Sequence, residues 1–515
     1  VNNAHDSADV IVIGSGIGGL ASAAALARFG RKVRVFEKHT VAGGFTHTFE
    51  REGFTWDVGV HYLGQVGPDQ PMRRVLDWLS GGNIDFASMG SVYDVVHLAD
   101  GTRFEFARPR ATLETSLREA FPQAGEDVGR FFAALDAARG CANTPFQRRA
   151  MPAWLGSALG WFKGNALRKW WGRTTAEVLE ELVTDPRLRD VLCAQWGDHG
   201  GRPAEASFAM QAMIVEHYLD GAWYPVGGAG AFARGLVPVI EAAGGEVRTG
   251  APVARILIEG GRAVGVELAD GSRHRAATVI SDAGAQTTVD ALLPGELRDS
   301  AWGREVMALP LSVCHVGLYI GLEGDIQAAG ATRANHWIYE TPRIDALWDD
   351  PFEQARAPVL FVSFPSLKDP THSQGTGRHT AEIVAWSDWK VFEPWADSEW
   401  SKRPEDYTAL RESLTRSLRD QFVERFPGLA PMIRVTELST PLSTVHFTGH
   451  RRGAVYGLNT TPRRFVSRAL DVRTPLPGLL LAGQDVVTPG VAGALVGGIL
   501  AAAVVEPRVF AKLSR

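Results

Sequence analysis

Residues 9–37 read DVIVIGSGIGGLASAAALARFGRKVRVFE, and this stretch decides the fold. The β-branched run at 9–13 has the pattern of a parallel strand covered on both faces. It passes directly into Gly14-Ser15-Gly16-Ile17-Gly18-Gly19. An alanine-rich helix then ends at Gly30, and a second strand ends in Glu37. Strand, glycine turn, helix, strand and acid in this order form a dinucleotide fingerprint in its required context. Gly14 makes the tight turn, Gly16 lets the backbone approach a pyrophosphate, and Gly19 permits close helix–strand packing, with Gly18 in the same loop. The helix N-terminus faces the phosphates. Glu37, with Lys38 beside it, lies 23 residues after Gly14, where a carboxylate binds ribose hydroxyls. An acid there argues against a 2′-phosphate, so the dinucleotide is FAD or NAD rather than NADP.

The next segment favours FAD. Residues 42–64 read AGGFTHTFEREGFTWDVGVHYLG. Gly43-Gly44, followed by Phe45 and Thr46, comes just after the second strand. A hairpin-like stretch then runs to Asp57-Val58-Gly59. An NAD domain does not need this extension, whereas in FAD proteins of the glutathione-reductase and amine-oxidase kind such a segment runs beside the cofactor towards the flavin. Residues 478–485, GLLLAGQD, supply the matching half as a buried strand ending in Gly483-Gln484-Asp485. Asp485 is placed to hold ribitol hydroxyls. After Gly490 a small-residue helix begins, and its amides near Val491 and Ala492 point a helix dipole at the cofactor.

Between these halves, residues 224–284 predict a helix over 230–243 and strands over 246–249, 253–259, 263–268 and 277–281. Gly260-Gly261 and Asp270-Gly271 supply the turns. Val253, at the start of the second of these strands, joins the candidate cofactor residues. The expected fold class is α/β: a Rossmann-type FAD-binding domain of the glutathione-reductase/amine-oxidase kind with an interleaved α+β substrate domain. Residues 1–75, 221–300 and 441–515 make up the former, and 76–220 and 301–440 the latter.

Composition bounds the rest. The chain has 515 residues, 45% hydrophobic and 22% charged, with a formal net charge of −5. These values exclude a disordered or collagenous protein and give no nucleic-acid footprint. The 56 glycines imply many tight turns and close backbone approaches. Three scattered cysteines make neither a disulfide framework nor a zinc site, which favours a reducing, cytoplasmic compartment. Asp6 and Asp9, with no basic run beside them, predict no signal peptide. The apolar run 490–505 is too short and glycine-rich for a membrane span and reads as a buried helix. No metal site is expected: His446 and His450 have helical spacing but no accompanying acid. A nucleophile elbow and a phosphate-binding GxxxxGK[ST] loop are also missing.

The chain resembles the phytoene-desaturase-like flavoproteins, which include carotenoid desaturases, carotenoid isomerases and retinol saturases, and within them the retinol saturases most. The resemblance rests on AGGFTHT at 42–48, DVGVHYLG at 57–64, VEHYLDGAWYPVGG at 215–228, FPSLKDPT at 364–371 and LAGQDVVTPGVAGALVGG at 481–498. It implies FAD, two interleaved domains and a polyene or isoprenoid substrate. One departure is Phe45, which stands where many relatives place Arg or Lys, so no charge pairs with the cofactor there.

A flavin carries the hydride chemistry itself, and the protein must orient an alkene and manage one proton. His61, Tyr62, His217, Tyr218 and Tyr224, each near a glycine-rich piece, are the candidate proton donors. Saturation of a double bond is the leading expectation. Desaturation and cis–trans isomerisation use the same parts, and a flavin amine oxidase and a non-enzymatic isoprenoid carrier are the rivals of other classes. No second dinucleotide fingerprint is visible, so electrons are expected from a separate donor or acceptor.

Residues 137–176 contain no acid. Arg139, Arg148, Arg149, Lys163, Arg168, Lys169 and Arg173 alternate there with Trp154, Leu155, Leu159, Trp161, Phe162, Trp170 and Trp171. This pattern, centred on helices expected at 150–173, suits peripheral contact with an anionic membrane surface.

Overall fold

The computed structural model describes residues 8–341, 343–344, 352, 356–372, 376–400 and 402–513, and Asp6 lies outside them. β1 (Val10–Ile13) is buried along its whole length. It lies in a parallel five-stranded sheet with β2 (Val33–Phe36), β3 (Glu246–Arg248), β4 (Thr278–Ser281) and β5 (Leu479–Leu481), in the order β3-β2-β1-β4-β5. Each buried Val or Ile of β1 contributes about 1.5–3 kcal/mol. Continuous apolar strands are what two covered faces require.

The sheet draws on residues near positions 10–36, 246–281 and 479–481. Its register brings the loops after β1, β2, β4 and β5 to one carboxyl edge. There Gly14 N donates to Phe36 O (2.9 Å) and Asp282 N to Ile13 O (2.8 Å). The strand order reverses direction between β1 and β4, the place where sheets of this kind bind ligands.

α1 (Ile17–Ala27) leaves the fingerprint loop with every residue buried, and α3 (Gly490–Val505) packs against it. A Cβ on Gly18 would lie 2.6 Å from Gly483 Cα and 2.9 Å from Ala494 O. The two helices and the Gly483 loop therefore meet backbone to backbone, which only glycine permits.

The middle stretch departs from the expected elements at its margins. The helix covers Ala231–Ala242, and strands cover Val253–Glu259 and Arg262–Leu268. A third antiparallel strand, Arg273–Arg275, follows the Asp270-Gly271 turn. Its polar Arg-His-Arg sequence hides it from any reading based on apolar alternation.

A seven-stranded sheet faces this unit. Its order is Ile433–Ser439, Cys314–Glu323, Arg378–Ser387, Val359–Ser363, Asn335–Tyr339, Val92–His97 and Arg103–Ala107. Only the pairing of Asn335–Tyr339 with Val92–His97 is parallel. Leu410, Leu414, Leu418 and Phe422 of the helix Glu405–Arg425 are buried against it. α2 (Ala153–Phe162) stands apart, with Trp154 74%, Trp161 79% and Phe162 77% exposed. No described helix is long and apolar enough to cross a membrane.

Candidate functional site

A cavity of about 470 Å³ opens at the carboxyl edge of the parallel sheet and runs to the seven-stranded sheet. Its first half is a cradle of main chain. Gly14, Gly16 and Gly18 line it from the fingerprint, and Gly43, Gly44, Phe45 and Thr46 from the next loop. Gly14 (φ +92°) and Gly43 (φ +126°) adopt backbone angles that side chains disfavour. Gly16, the N-cap of α1, has no side chain to cover the first amides, and neither does Pro489, the N-cap of α3, cap them. Two helix starts without a cap from their own N-cap side chains thus face the cavity, with Gly490 and Val491 lining it from α3. Gly19, Gly483 and Ala492 lie outside the lining, where the first two act through packing: a Cβ on Gly19 would strike the Gly14 carbonyl oxygen.

Three carboxylates shape the cradle. Glu37 Oε2 accepts from Ser15 N and Ser15 Oγ, both at 2.8 Å, and Oε1 accepts from His39 N at 2.7 Å. Ser15 Oγ in turn accepts from Gly43 N at 3.1 Å, so Glu37 knits both glycine loops together. Asp485 accepts from Ala285 N (2.8 Å) and Leu458 N (3.2 Å) and ties the C-terminal loop to two other stretches. Asp282, which sequence reasoning missed, accepts from Gly19 N at 2.7 Å, and a Cβ on Gly16 would lie 2.8 Å from its Oδ2. Its only sequence signal is its place just past a buried strand. Lys38 and Val253 also line the cavity, and Lys38 Nζ donates to His446 O at 2.7 Å. His450, beside Phe45, reaches Ala454 O at 2.8 Å through Nδ1, while His446 stacks on Trp400.

Two buried guanidiniums brace the C-terminal loop from behind. Arg149 donates to Val486 O at 2.6 Å, and Arg464 to Gln484 O at 2.5 Å. Arg149 was expected on a basic face but is 2% exposed. Its guanidinium donates to the carbonyls of Val486 and Arg464. Trp170 and Trp171 are likewise core residues rather than surface ones, and Trp171 packs 4.3 Å from Phe465.

The second half of the cavity is an apolar chamber walled by Trp337, Phe361, Trp386, Leu311, Ile383 and Val384. Of the five candidate proton donors, only His61 lines it. Tyr62 points away and places its hydroxyl between Asp94 and Asp198. Tyr218 stacks on Tyr62 at 4.3 Å. His217 Nε2 accepts from Gly64 N at 2.8 Å, and the Tyr224 hydroxyl donates to Asp57. Both rings pack near Phe361, at 4.8 Å for His61 and 6.4 Å for Tyr62, but only His61 lines the cavity.

Behind His61 lies a charge cluster that sequence reasoning missed. Glu382 Oε2 stands 3.0 Å from His61 Nδ1, a close contact without hydrogen-bond geometry, and neither atom has a hydrogen-bond partner among the described residues. Glu382 Oε1 accepts from Asp57 N at 2.8 Å. Lys368 Nζ donates to His61 O (2.9 Å), Ser363 Oγ (2.6 Å) and Asn335 Oδ1. Burial pushes Glu382 up to about 8, and burial with Lys368 nearby pushes His61 down to about 3. Both shifts disfavour an ion pair between them and favour a protonated acid facing a neutral imidazole. Burial also brings Lys368 down to about 7.

The glycine cradle fits a dinucleotide: every close approach in it would be filled by a Cβ, and two helix N-termini meet there. Residues 12–79 match a profile described as an NAD(P)-binding Rossmann-like domain. The all-trans-retinol 13,14-reductase of Danio rerio is 33% identical over 97% of this chain and 86% of its own. The chloroplastic prolycopene isomerase of Arabidopsis thaliana is 25% identical over 93% and 79%. The cyclohexylamine oxidase of Brevibacterium oxydans has the same fold, with a TM-score of 0.60 at 17% identity over 99% of this chain and 100% of that one. The cradle is thus one for a flavin or related dinucleotide.

Proposed function

The chain belongs to the family of the all-trans-retinol 13,14-reductases, and from that premise we propose that it is an FAD-dependent oxidoreductase that saturates a carbon–carbon double bond of a conjugated isoprenoid. The observation that carries this reading is a single cavity joining a dinucleotide cradle to an apolar chamber whose polar notch is an unpartnered His61–Glu382 pair.

A reduced flavin, when bound, supplies hydride. The chain does the remaining work. The glycine loops of residues 14–19 and 43–44 and the starts of α1 and α3 hold the phosphates. Glu37 holds the ribose side and Val253 the adenine side. Trp337, Phe361 and Trp386 exclude water and align a flat polyene. Glu382 gives its proton to His61 Nδ1 while His61 Nε2 releases one to the alkene carbon, so the imidazole ends as the other neutral tautomer. Lys368 steadies the carboxylate left behind. The test is anaerobic incubation of reduced protein with a polyene panel. A product heavier by two hydrogens is expected, and an unchanged mass with altered geometry, or a loss of two hydrogens, would replace saturation by isomerisation or desaturation.

The same reading includes peripheral attachment to an anionic membrane surface through α2. Trp154, Leu155, Trp161 and Phe162 are four of the eight exposed large hydrophobics among the described residues. Exposed Lys163, Arg168 and Lys169 flank them. Such a helix buries its aromatics at the headgroup boundary. Replacing Trp154 and Trp161 together by Glu is expected to weaken binding to anionic vesicles by roughly tenfold or more, with wild-type binding falling as salt rises. Equal binding by wild type and variant would remove the attachment.

A further inference from the structure

Asp282 stands at the start of α1. Counting from the N-cap Gly16, Gly19 N is the third amide of that helix, one of the donors that helix geometry leaves unpaired. Asp282 Oδ2 accepts it at 2.7 Å. A Cβ on Gly16 would lie 2.8 Å from the same oxygen. One on Gly18 would lie 2.5 Å from Oδ1, and one on Gly483 would strike Oδ1. The carboxyl is thus wedged between the fingerprint loop and the C-terminal loop. It lines the cavity at the place where a helix start receives a phosphate. No described residue donates to Oδ1.

An ionised acid there is a poor neighbour for a pyrophosphate. The first turns of α1 and α3 carry no charged residue, and Phe45 rather than a base stands in the second glycine loop. The charged groups that act on Asp282 are Glu37, just past β2, and Asp485, in the loop before α3, and both are acids. Lys38, His39 and His450 line the same cavity, but Lys38 donates to His446 O, His39 accepts from Val41 N, and His450 reaches Ala454 O. A proton offsets this carboxyl without any rearrangement of the loops. Burial, with Glu37 and Asp485 acting in the same direction, pushes it up to about 8.

We propose that Asp282 meets the cofactor pyrophosphate as a neutral acid that donates a hydrogen bond to it, so that the protein takes up a proton from solvent as it captures the dinucleotide. The phosphate charges raise the proton affinity of the carboxyl further. At low pH the proton is already in place and capture needs no uptake. At high pH capture competes with ionisation, and affinity falls as pH rises. This role rests on the reading of the cradle as a dinucleotide site.

The test is calorimetric titration of the full chain, freed of cofactor, with FAD and with ADP-ribose, a pyrophosphate diester that lacks the flavin. Proton uptake is read from the heats in two buffers of different ionisation enthalpy. Wild type is expected to take up most of one proton at about pH 9 and little at about pH 6.5, with affinity falling by up to about tenfold per pH unit. Asp282→Asn keeps an acceptor for Gly19 N and puts a permanent donor in place of the acid proton. It should take up no proton and bind ADP-ribose at about pH 9 roughly tenfold more tightly than wild type does. Absence of proton uptake by wild type, or equal uptake in wild type and Asp282→Asn, overturns the role of Asp282 alone. The wild-type proton count decides even where the variant fails to fold. If wild type binds neither probe at any pH, the dinucleotide reading falls together with this role.

Discussion

Glu382→Gln is expected to slow reduction of the double bond by roughly a hundredfold or more while leaving polyene binding and cofactor content unchanged. Gln is isosteric and still accepts from Asp57 N, so the local scaffold survives. It lacks the acidic proton that the proposed mechanism passes from Glu382 to His61 Nδ1, 3.0 Å away. The pH dependence sharpens the test. A donor must be protonated to act, and burial sets this carboxyl at about 8. The wild-type rate should fall as pH rises past that value, and the variant should lack this limb. Measured rates of a single turnover from reduced protein check both points. A variant with wild-type rate and an unchanged alkaline limb would dismiss Glu382 as the proton source and leave His61 with some other supply.

Gly19→Val should leave the purified protein without bound cofactor, retention falling roughly a hundredfold. The added side chain meets the Gly14 carbonyl oxygen, a main-chain atom of the turn that starts the cradle. A flexible neighbour could swing aside, but a carbonyl inside the tight turn cannot. Gly295→Ala is the matched control, because nothing lies within 4 Å of its Cβ position and its backbone is not left-handed. Visible absorbance of the purified proteins decides: a colourless Gly19→Val beside a coloured Gly295→Ala is the expected pair. A coloured Gly19→Val would mean that the loop relaxes and that the cradle does not depend on this contact.

The cradle was legible because its determinants are local. Gly14, Gly16 and Glu37 lie within one strand–helix–strand unit, and their spacing alone implies the geometry later found around Ser15 and the start of α1. The chamber was less legible because distant pairings set it. Asp57 reaches Glu382 across 325 positions, and Lys368 reaches His61 across 307. No window of sequence contains both partners. One signal was present: Glu382 is a lone acid between Ala381 and Ile383 in an otherwise apolar stretch, and a charge inside a buried strand needs a reason. The same limit explains Tyr62. Its motif marked the right neighbourhood, but the distant partners Asp94 and Asp198 hold the Tyr62 hydroxyl while His61 lines the chamber. Composition likewise described 137–176 as basic and aromatic without showing that Arg149, Trp170 and Trp171 turn inward.

The contact of Gly18 with Gly483 and Ala494 sets a timetable for biogenesis. The fingerprint loop leaves the ribosome hundreds of residues before its opposing wall. A nascent chain that has not reached Val491 holds half a clasp and must keep that half soluble while the rest is translated. A complete cradle therefore needs residue 483 and beyond, and ribosome-stalled chains ending before it should not retain a dinucleotide.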